Sequence, residues 1–524
     1  MTAGLTTVPR LLADLAEAGP DAVALVAAGT GESMTLGELA DTTRVWARRF
    51  AGVGVRPGDT VATMIGPSFA AYQAWLGLAA LGAVEVPVNP QLRGRTLTYL
   101  LGHSEAAVAV VERRFLAEVA TVARDLDRLT TVVVLDADED ELPGPRPFRV
   151  VGRASFACGE RAVATRVGER HDTACVIYTS GTTGPPKGVI IPWGWMNQPP
   201  GYLPERIDPG GTRYSFLSPA HMSGKGALGQ ALVERRPLVL RGGFSVRAFW
   251  DDIRTHDCRV GQLFPPSIRY LLDAPPTPED RDTPLQHIWT APVVPETVEF
   301  MKRFDVAVTT GFGSTEIGGA IARIDVDGTD LGCCGRQAVD PRGYEVRVVD
   351  EHDRETPPGQ VGELVVRTAV AWSITPGYFR DDAATAAAWR NGWFHTGDAM
   401  RRSADGDLYF VDRFKDCIRR KGENVSSFEV EGYVLEHPAV DEAAAIGVPS
   451  EDGEQEIKVV VVLREPVGLG ELGEWLAERM PGFMTPRYLE AAESLPRTPA
   501  TGRVRKSELR ARPVDGAVWD RLAR

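Results

Sequence analysis

From residue 36 to residue 310 the sequence changes period repeatedly, from helical spacing to short apolar runs and back, and no other feature restricts the fold as much. Leu39, Thr43, Trp46 and Phe50 recur at helical spacing ahead of Gly52 and Gly54, and residues 60–65 then read as a short buried strand. A helix over 69–81 leads to a strand at 84–88, and a helix over 92–101 leads to a strand at 107–111. Further strands are expected at 131–135, 174–178, 237–240, 260–263, 287–290 and 306–310, with helical stretches between them. Alternation of this kind predicts the α/β class, and several of the strands end in loops rich in glycine, proline or hydroxyl residues, where open α/β sheets bind ligands. With 524 residues, 43% of them hydrophobic, the chain is too long for one core. After residues 408–412 a charged segment, 413–425, opens a tail with its own pattern: a helix over 427–435, strands at 442–446 and 457–463, and a helix over 469–479. The expectation is a large N-terminal multi-sheet α/β domain over 1–414 and a small α+β C-terminal domain over 415–524.

A formal net charge of −13 argues against a general binder of nucleic acid or of anionic membranes, while leaving room for local phosphate sites. The cysteines (Cys158, Cys175, Cys258, Cys333, Cys334 and Cys417) contain no Cys-x-x-Cys pair, which favours reduced thiols. Residues 1–20 hold no apolar run long enough for a signal peptide, and no stretch approaches membrane-spanning length. A cytoplasmic protein, monomer or homodimer, with neither nucleic acid nor membrane as partner, is expected.

Residues 178–188, Tyr-Thr-Ser-Gly-Thr-Thr-Gly-Pro-Pro-Lys-Gly, follow one of the apolar strands. Glycines let backbone N–H groups turn toward an anion, the hydroxyls of Ser180, Thr182 and Thr183 add donors, and Lys187 adds charge. The spacing is not that of a Walker loop, because Gly181 and Gly184 are too close together and Lys187 is followed by glycine. Residues 311–316, Gly-Phe-Gly-Ser-Thr-Glu, offer an aromatic between glycines and then a carboxylate, suited to a stacked base and a magnesium-bound phosphate near Glu316. Residues 393–398, Trp-Phe-His-Thr-Gly-Asp, place an acid after a tight turn, suited to ribose hydroxyls. His221 follows another strand, and a single histidine there counts only through its neighbours.

Taken in order, these segments resemble the motifs of the acyl-adenylate-forming superfamily: acyl- and aryl-CoA ligases, peptide-synthetase adenylation domains and firefly-type luciferases. Residues 34–39, 58–59, 82–90 and 412–425 are similar as well, so the resemblance runs from end to end. It implies a two-step reaction in which a carboxylate attacks the α-phosphate of ATP, pyrophosphate leaves, and a nucleophile then takes the acyl group from AMP. By the same resemblance Thr179, Ser180, Gly181, Thr182, Thr183 and Lys187 face the phosphates, with Thr182 and Glu316 at the magnesium ion. Gly311, Phe312, Gly313 and Thr315 hold the adenine side, and Asp398, Phe410 and Arg413 hold the ribose. Lys415 matches the hinge of a mobile small domain, and Lys421, Gly422 and Glu423 match the tunnel for CoA. His221, Lys225, Trp289 and Ile317 fall around the acid.

One position departs from the pattern. Family members end with a segment like Pro-x-Thr-x-x-Gly-Lys, whose lysine bridges the attacking carboxylate and the α-phosphate, whereas here the stretch before Gly502 is one residue longer and Arg503 takes the lysine's place. Three accounts stand: Arg503 does the work, Lys506 or Arg505 swings in, or the first half-reaction has changed character. No aspartate accompanies His221, so a carboxylic acid without an α-amino group is favoured. Lys225 either points inward, toward a second anionic group of the substrate, or lies on the surface. The leading reading is an acid:CoA ligase. The alternatives are an adenylating enzyme of secondary metabolism that forms amides or uses a small oxyanion such as nitrite to diazotise an aryl amine, and a non-catalytic nucleotide-binding protein.

Overall fold

The computed structural model describes residues 6–142, 146–179, 185–196, 203–204, 206–207, 210–329, 331–338, 342–413, 418–420, 423–450, 455–482, 484–497, 504–514 and 518–523, with only the backbone at 419, 423 and 424. They form two compact units: a larger one from the described residues of 1–179, 185–346 and 366–394, and a smaller one from 347–365 and 395–524. No helix among them is long and apolar enough to cross a membrane.

Two sheets organise the larger unit. The first has seven strands in the order Arg149–Val151, Thr131–Val134, Val108–Val111, Thr60–Met64, Val84–Pro87, Thr173–Thr179, Lys187–Pro192, parallel except for the last pair, which is a hairpin. In the second, Ala307–Ser314, His287–Trp289, Cys258–Gln262, Thr212–Ser215, Leu238–Leu240 and Val23–Ala27 run parallel in that order, flanked by antiparallel strands Gly318–Arg323 and Ser33–Thr35. The helix Phe69–Leu81 is apolar on nearly every face and buried from Ala74 to Leu81, as a helix enclosed on both sides must be. Gly77 lets it approach the helix Leu36–Gly52, since a Cβ there would overlap Trp46, and Gly82 ends it in the left-handed conformation at φ +84°. Leu36–Gly52 itself starts at Thr35, whose side chain and that of Glu38 exchange hydrogen bonds with each other's backbone, a capping box that contributes about 1 kcal/mol.

The smaller unit carries the sheet Val440–Pro449, Gln455–Leu463, Tyr488–Ala491, Trp519–Asp520, covered by the helices Ser427–Leu435 and Leu469–Arg479 around a core that includes Val430, Val459, Leu472 and Leu489. In the same unit residues 398–402 pair antiparallel with the strand Leu408–Arg413.

Every strand expected between 60 and 310 is present, and the last runs on to Ser314. Several features differ from expectation. The helix Val8–Ala18 and the strand pair Val23–Ala27 with Ser33–Thr35 were not anticipated, and neither were Gly318–Arg323, Cys333–Gln337, Tyr344–Val349 and Val361–Thr368. Asp398 lies within the strand Trp393–Arg402 rather than after a tight turn, because it pairs with Arg413 across the ladder while the Gly397 N–H before it donates to Glu363.

Candidate active site

In the larger unit three segments meet at the ends of strands. The strand Thr173–Thr179 turns back as Lys187–Pro192, with Tyr178 opposite Gly188 and Thr179 opposite Lys187. Residues 375–379 lie along the returning strand: the Phe379 N–H donates to the Gly188 carbonyl (2.7 Å) and the Ile190 N–H to the Gly377 carbonyl (3.1 Å). This places the Tyr378 ring 4.8 Å beneath the Lys187 ammonium, while the Tyr378 hydroxyl donates to Glu316 Oε1 (3.2 Å). A cation and a carboxylate from motifs far apart in sequence are thus joined through one tyrosine. Glu316 is itself fixed by its backbone, whose carbonyl accepts from the Thr375 N–H (2.8 Å) and the Trp195 indole (3.3 Å).

Tyr178, the first residue of the 178–188 motif, shares a 2.7 Å hydrogen bond with His103 Nδ1. Burial pushes the Tyr178 hydroxyl up and the His103 imidazole down, so both are neutral at pH 7. The segment 311–316 belongs to a tight hairpin in which Gly311 faces Ala322, Phe312 faces Ile321 and Gly313 faces Gly319. A Cβ at Gly311 would run into the Ile321 carbonyl, and one at Gly313 into the Gly318 carbonyl, so both glycines are required by the hairpin itself. Thr315 is half-buried, Ile317 is wholly buried, and Trp289 is half-buried in register with Gln262 and Thr309 of its neighbours.

His221 caps the helix Met222–Glu234, and its Nε2 lies 3.3 Å from Asn89 Nδ2. The Gln91 N–H donates to Asn89 Oδ1 (2.8 Å), which leaves Nδ2, purely a donor, for the histidine. Nε2 therefore accepts, and the neutral ring carries its proton on Nδ1. Lys225, one turn further along, points inward as one of its two expected orientations required, but its partner is the protein's own Glu85, and the ammonium sits 4.8 Å over the Trp75 ring.

In the smaller unit Asp398 and Arg413 are cross-strand partners, with Arg413 Nε donating to Asp398 Oδ1 at 2.9 Å. Glu363 stabilises the preceding residues, accepting from the Gly397 N–H (2.9 Å) and contacting His395 Nδ1 (2.9 Å). Phe410 lies on the same strand as Arg413, opposite Met400. Asp412 accepts from the backbone and hydroxyl of Ser427, at the start of the helix Ser427–Leu435. Lys506 donates to Ser427 Oγ and pairs with Glu431 Oε1 at 2.8 Å. Burial raises the Glu431 carboxyl above its ordinary range despite that lysine. Ser180, Gly181, Thr182, Thr183, Lys415, Lys421, Gly422 and Arg503 lie outside the described residues, and Glu423 opens the strand Glu423–Val425.

Sequence reasoning missed Tyr378, Glu85, Asn89 and Glu431. One signal was present: Glu85 stands in the apolar run 84–88, and a carboxylate in a buried strand requires a partner.

Comparison with known proteins follows the same architecture. Residues 12–379 match the family model of AMP-binding enzymes, and residues 429–501 match that of the AMP-binding enzyme C-terminal domain. A crotonobetaine/carnitine–CoA ligase of Salmonella paratyphi B is 30% identical over 476 residues, 88% of this chain and 90% of the relative. The fold is shared with o-succinylbenzoate CoA synthetase of Bacillus subtilis, solved with its acyl-adenylate intermediate (TM-score 0.83, 23% identity, 97% of this chain and 99% of that one). It is shared also with an amide bond synthetase of Marinactinospora thermotolerans (TM-score 0.78, 24% identity, 96% and 98%).

Proposed function

The chain belongs to the AMP-binding enzyme family, and on that premise we propose that it is an ATP-dependent ligase that adenylates a carboxylic acid and passes the acyl group to the thiol of CoA. In the first step a carboxylate oxygen bonds to the α-phosphorus and pyrophosphate leaves; in the second the sulfur bonds to the acyl carbon and AMP leaves. The observation that carries this reading is the junction of Lys187 and Glu316 through Tyr378, which puts a cation and a hard oxygen donor side by side at strand ends. A single carboxylate completed by phosphate oxygens is a donor set that suits magnesium, which when bound would offset phosphate charge beside Glu316.

The chain's own groups take these roles. Thr179, Ser180, Gly181, Thr182, Thr183 and Lys187 cradle the leaving pyrophosphate, with Thr182 sharing the magnesium, and Gly311 to Thr315 present Phe312 to the adenine. Asp398, Phe410 and Arg413 hold the ribose, where the Asp398 carboxylate, already oriented by Arg413, accepts from its hydroxyls. His221, held through Nε2 by Asn89, takes the acid's side of the site together with Trp289 and Ile317. Arg503 is the bridging cation, because Lys506 is committed to Glu431 and Ser427. A small domain starting at Lys415 rotates between the steps, after which Lys421, Gly422 and Glu423 line the CoA tunnel. We place the enzyme in the cytoplasm.

Lys225, which could have met a second anionic group of the substrate, is occupied by Glu85, and Arg503 in the usual lysine's place is what still supports the oxyanion-using or amide-forming alternative. Release of AMP from ATP, measured across carboxylic acids with and without CoA and with nitrite plus an aryl amine, tests the proposal. Acid-dependent AMP with a CoA thioester is expected. Nitrite-dependent AMP without CoA would replace this reading with the alternative, and nucleotide binding without AMP would replace both.

A further inference from the structure

Two rungs tie the helix Met222–Glu234 to the strand Val84–Pro87 and the residues that follow it. Lys225 meets Glu85, and His221, four positions earlier on the helix, meets Asn89, four positions later on the other chain segment. The first rung is closed to water, with the Lys225 and Glu85 side chains 0% and 2% exposed. Its geometry is fixed from every side the structure describes. Thr63 Oγ1 donates to Glu85 Oε1 (2.7 Å), leaving Oε2 for the lysine. Beneath the ammonium, Trp75 is itself stacked on Trp193 (4.8 Å) and anchored by its indole N–H to the Ala174 carbonyl (2.9 Å). The helix is held a third time next to Lys225, where the buried Tyr72 hydroxyl donates to the Gly224 carbonyl (2.7 Å). Gly224 admits the turn from Ser218, since a Cβ would collide with the Ser218 carbonyl.

A buried lysine–glutamate pair is a poor source of stability, because desolvation of both ions offsets most of their attraction. What it supplies is position, since neither ion tolerates displacement from the other. We infer that Lys225 and Glu85 are positioning residues for His221: the pair sets the axial placement of the helix start, so that His221 Nε2 meets Asn89 and the ring is held in one tautomer and one place at the start of the helix. The inference rests on the ligase reading for what His221 does, and on the two rungs for how it is held. It also gives Lys225 a role that involves no substrate anion.

The experiment is a mutant cycle on acid-dependent AMP formation, using ATP and the acid most active in the wild-type panel. E85M/K225M removes both charges and keeps apolar volume against Trp75, so the core can close around it. The expected result is a kcat for adenylation lowered about tenfold, as a displaced group produces, with the KM for ATP unchanged. In an H221A background the same double substitution should change kcat less than about twofold, because a residue acting through His221 has nothing left to act on. Wild-type kcat in E85M/K225M, or an equal loss in both backgrounds, would overturn the inference. E85Q, which keeps the shape and the Thr63 contact, carries the same cycle if the double variant does not fold. A second readout needs no substrate. In ¹⁵N-histidine-labelled protein the His221 signals, assigned by their loss in H221A, should report the Nδ1–H tautomer in the wild type and a mixture in the variant; an unchanged tautomer counts against the inference. Should no acid release AMP from the wild type, the ligase reading fails while this spectrum still decides the positioning.

Discussion

Lys225 in the larger unit meets Glu85 between an indole face and a threonine hydroxyl, wholly shut from water, whereas Lys506 in the smaller unit meets Glu431 and Ser427 with its side chain 15% exposed. Both are lysines sealed against a glutamate beside a hydroxyl, yet the acids differ. Glu431 also accepts from the Ala445 N–H (2.8 Å), and its burial holds it above the usual carboxylate range, so it has an exit through protonation if the lysine is lost. Glu85 lies in the middle of a parallel sheet beside strands of apolar residues, so a side chain deprived of Lys225 there would be buried with no solvent on either face. A buried pair within a sheet therefore fixes a helix at a site, and a pair near the surface behaves as a latch between the C-terminal segments whose strength depends on pH.

The largest effect that separates the two is expected from Glu85→Ala, which strands the Lys225 charge and should reduce unfolding free energy by about 3–5 kcal/mol. Urea denaturation followed by circular dichroism measures it, and a loss below about 1 kcal/mol would erase the contrast. Lys506→Met should cost about 2 kcal/mol at pH 7 and less at pH 5. The sign follows from Glu431: its folded pKa lies above the unfolded value, so the stability linked to its proton is present in acid and lost as pH rises through the folded pKa. Equal losses at both pH values would make the two pairs the same kind of structure. His287 sharpens the comparison as a buried base with arginines for charged neighbours, its pKa pushed down to about 3, first by burial and then by Arg213, Arg206 and Arg236. The unfolded state then binds a proton that the folded state refuses. Wild-type stability should fall from about pH 6.5 downward, by at most about 1.4 kcal/mol per pH unit, and His287→Asn should flatten that slope in denaturation curves taken between pH 4 and 7. Smallest is Tyr378→Phe, which keeps the ring under Lys187 and removes the hydroxyl from Glu316. Unfolding should change by less than about 1 kcal/mol, while the KM for ATP rises a few-fold; an unchanged KM would mean that the Lys187–Glu316 junction does not depend on the hydroxyl.

Legibility from sequence followed the locality of the signal. Inner strands of the two parallel sheets such as Val108–Val111 and Thr131–Val134 were readable because each is an apolar run bounded by turn residues and buried on both faces, whereas Val23–Ala27 and Arg149–Val151, at or near the sheet margins and partly exposed, were not. The strands from Gly318 to Thr368 were not, since Cys-Cys-Gly-Arg-Gln at 333–337 and Val-Gly-Glu-Leu at 361–364 have partners supplied by the antiparallel fold rather than by their own pattern. At the site the motif residues could be named from their donor-rich composition together with the family resemblance they carry. Their neighbours could not: Tyr378 reaches Lys187 only because residues 375–379 lie along a distant strand. Glu85 and Lys225 were each visible as anomalies, a carboxylate in an apolar strand and a lysine after the histidine, but 140 positions separate them and only the packing of helix on sheet makes them one feature.

The hairpin around Phe312 bears on how such a site is altered. Gly311 and Gly313 are each pressed against a carbonyl of the opposing strand, so neither accepts a side chain, whereas the residue between them is held by backbone on both flanks. Position 312 is in effect a socket with a fixed mount and an exchangeable fitting. If Phe312 stacks on the adenine as proposed, laboratory selection for a different nucleobase can explore many side chains there without re-forming the strands, and its two glycine neighbours mark where that exploration has to stop.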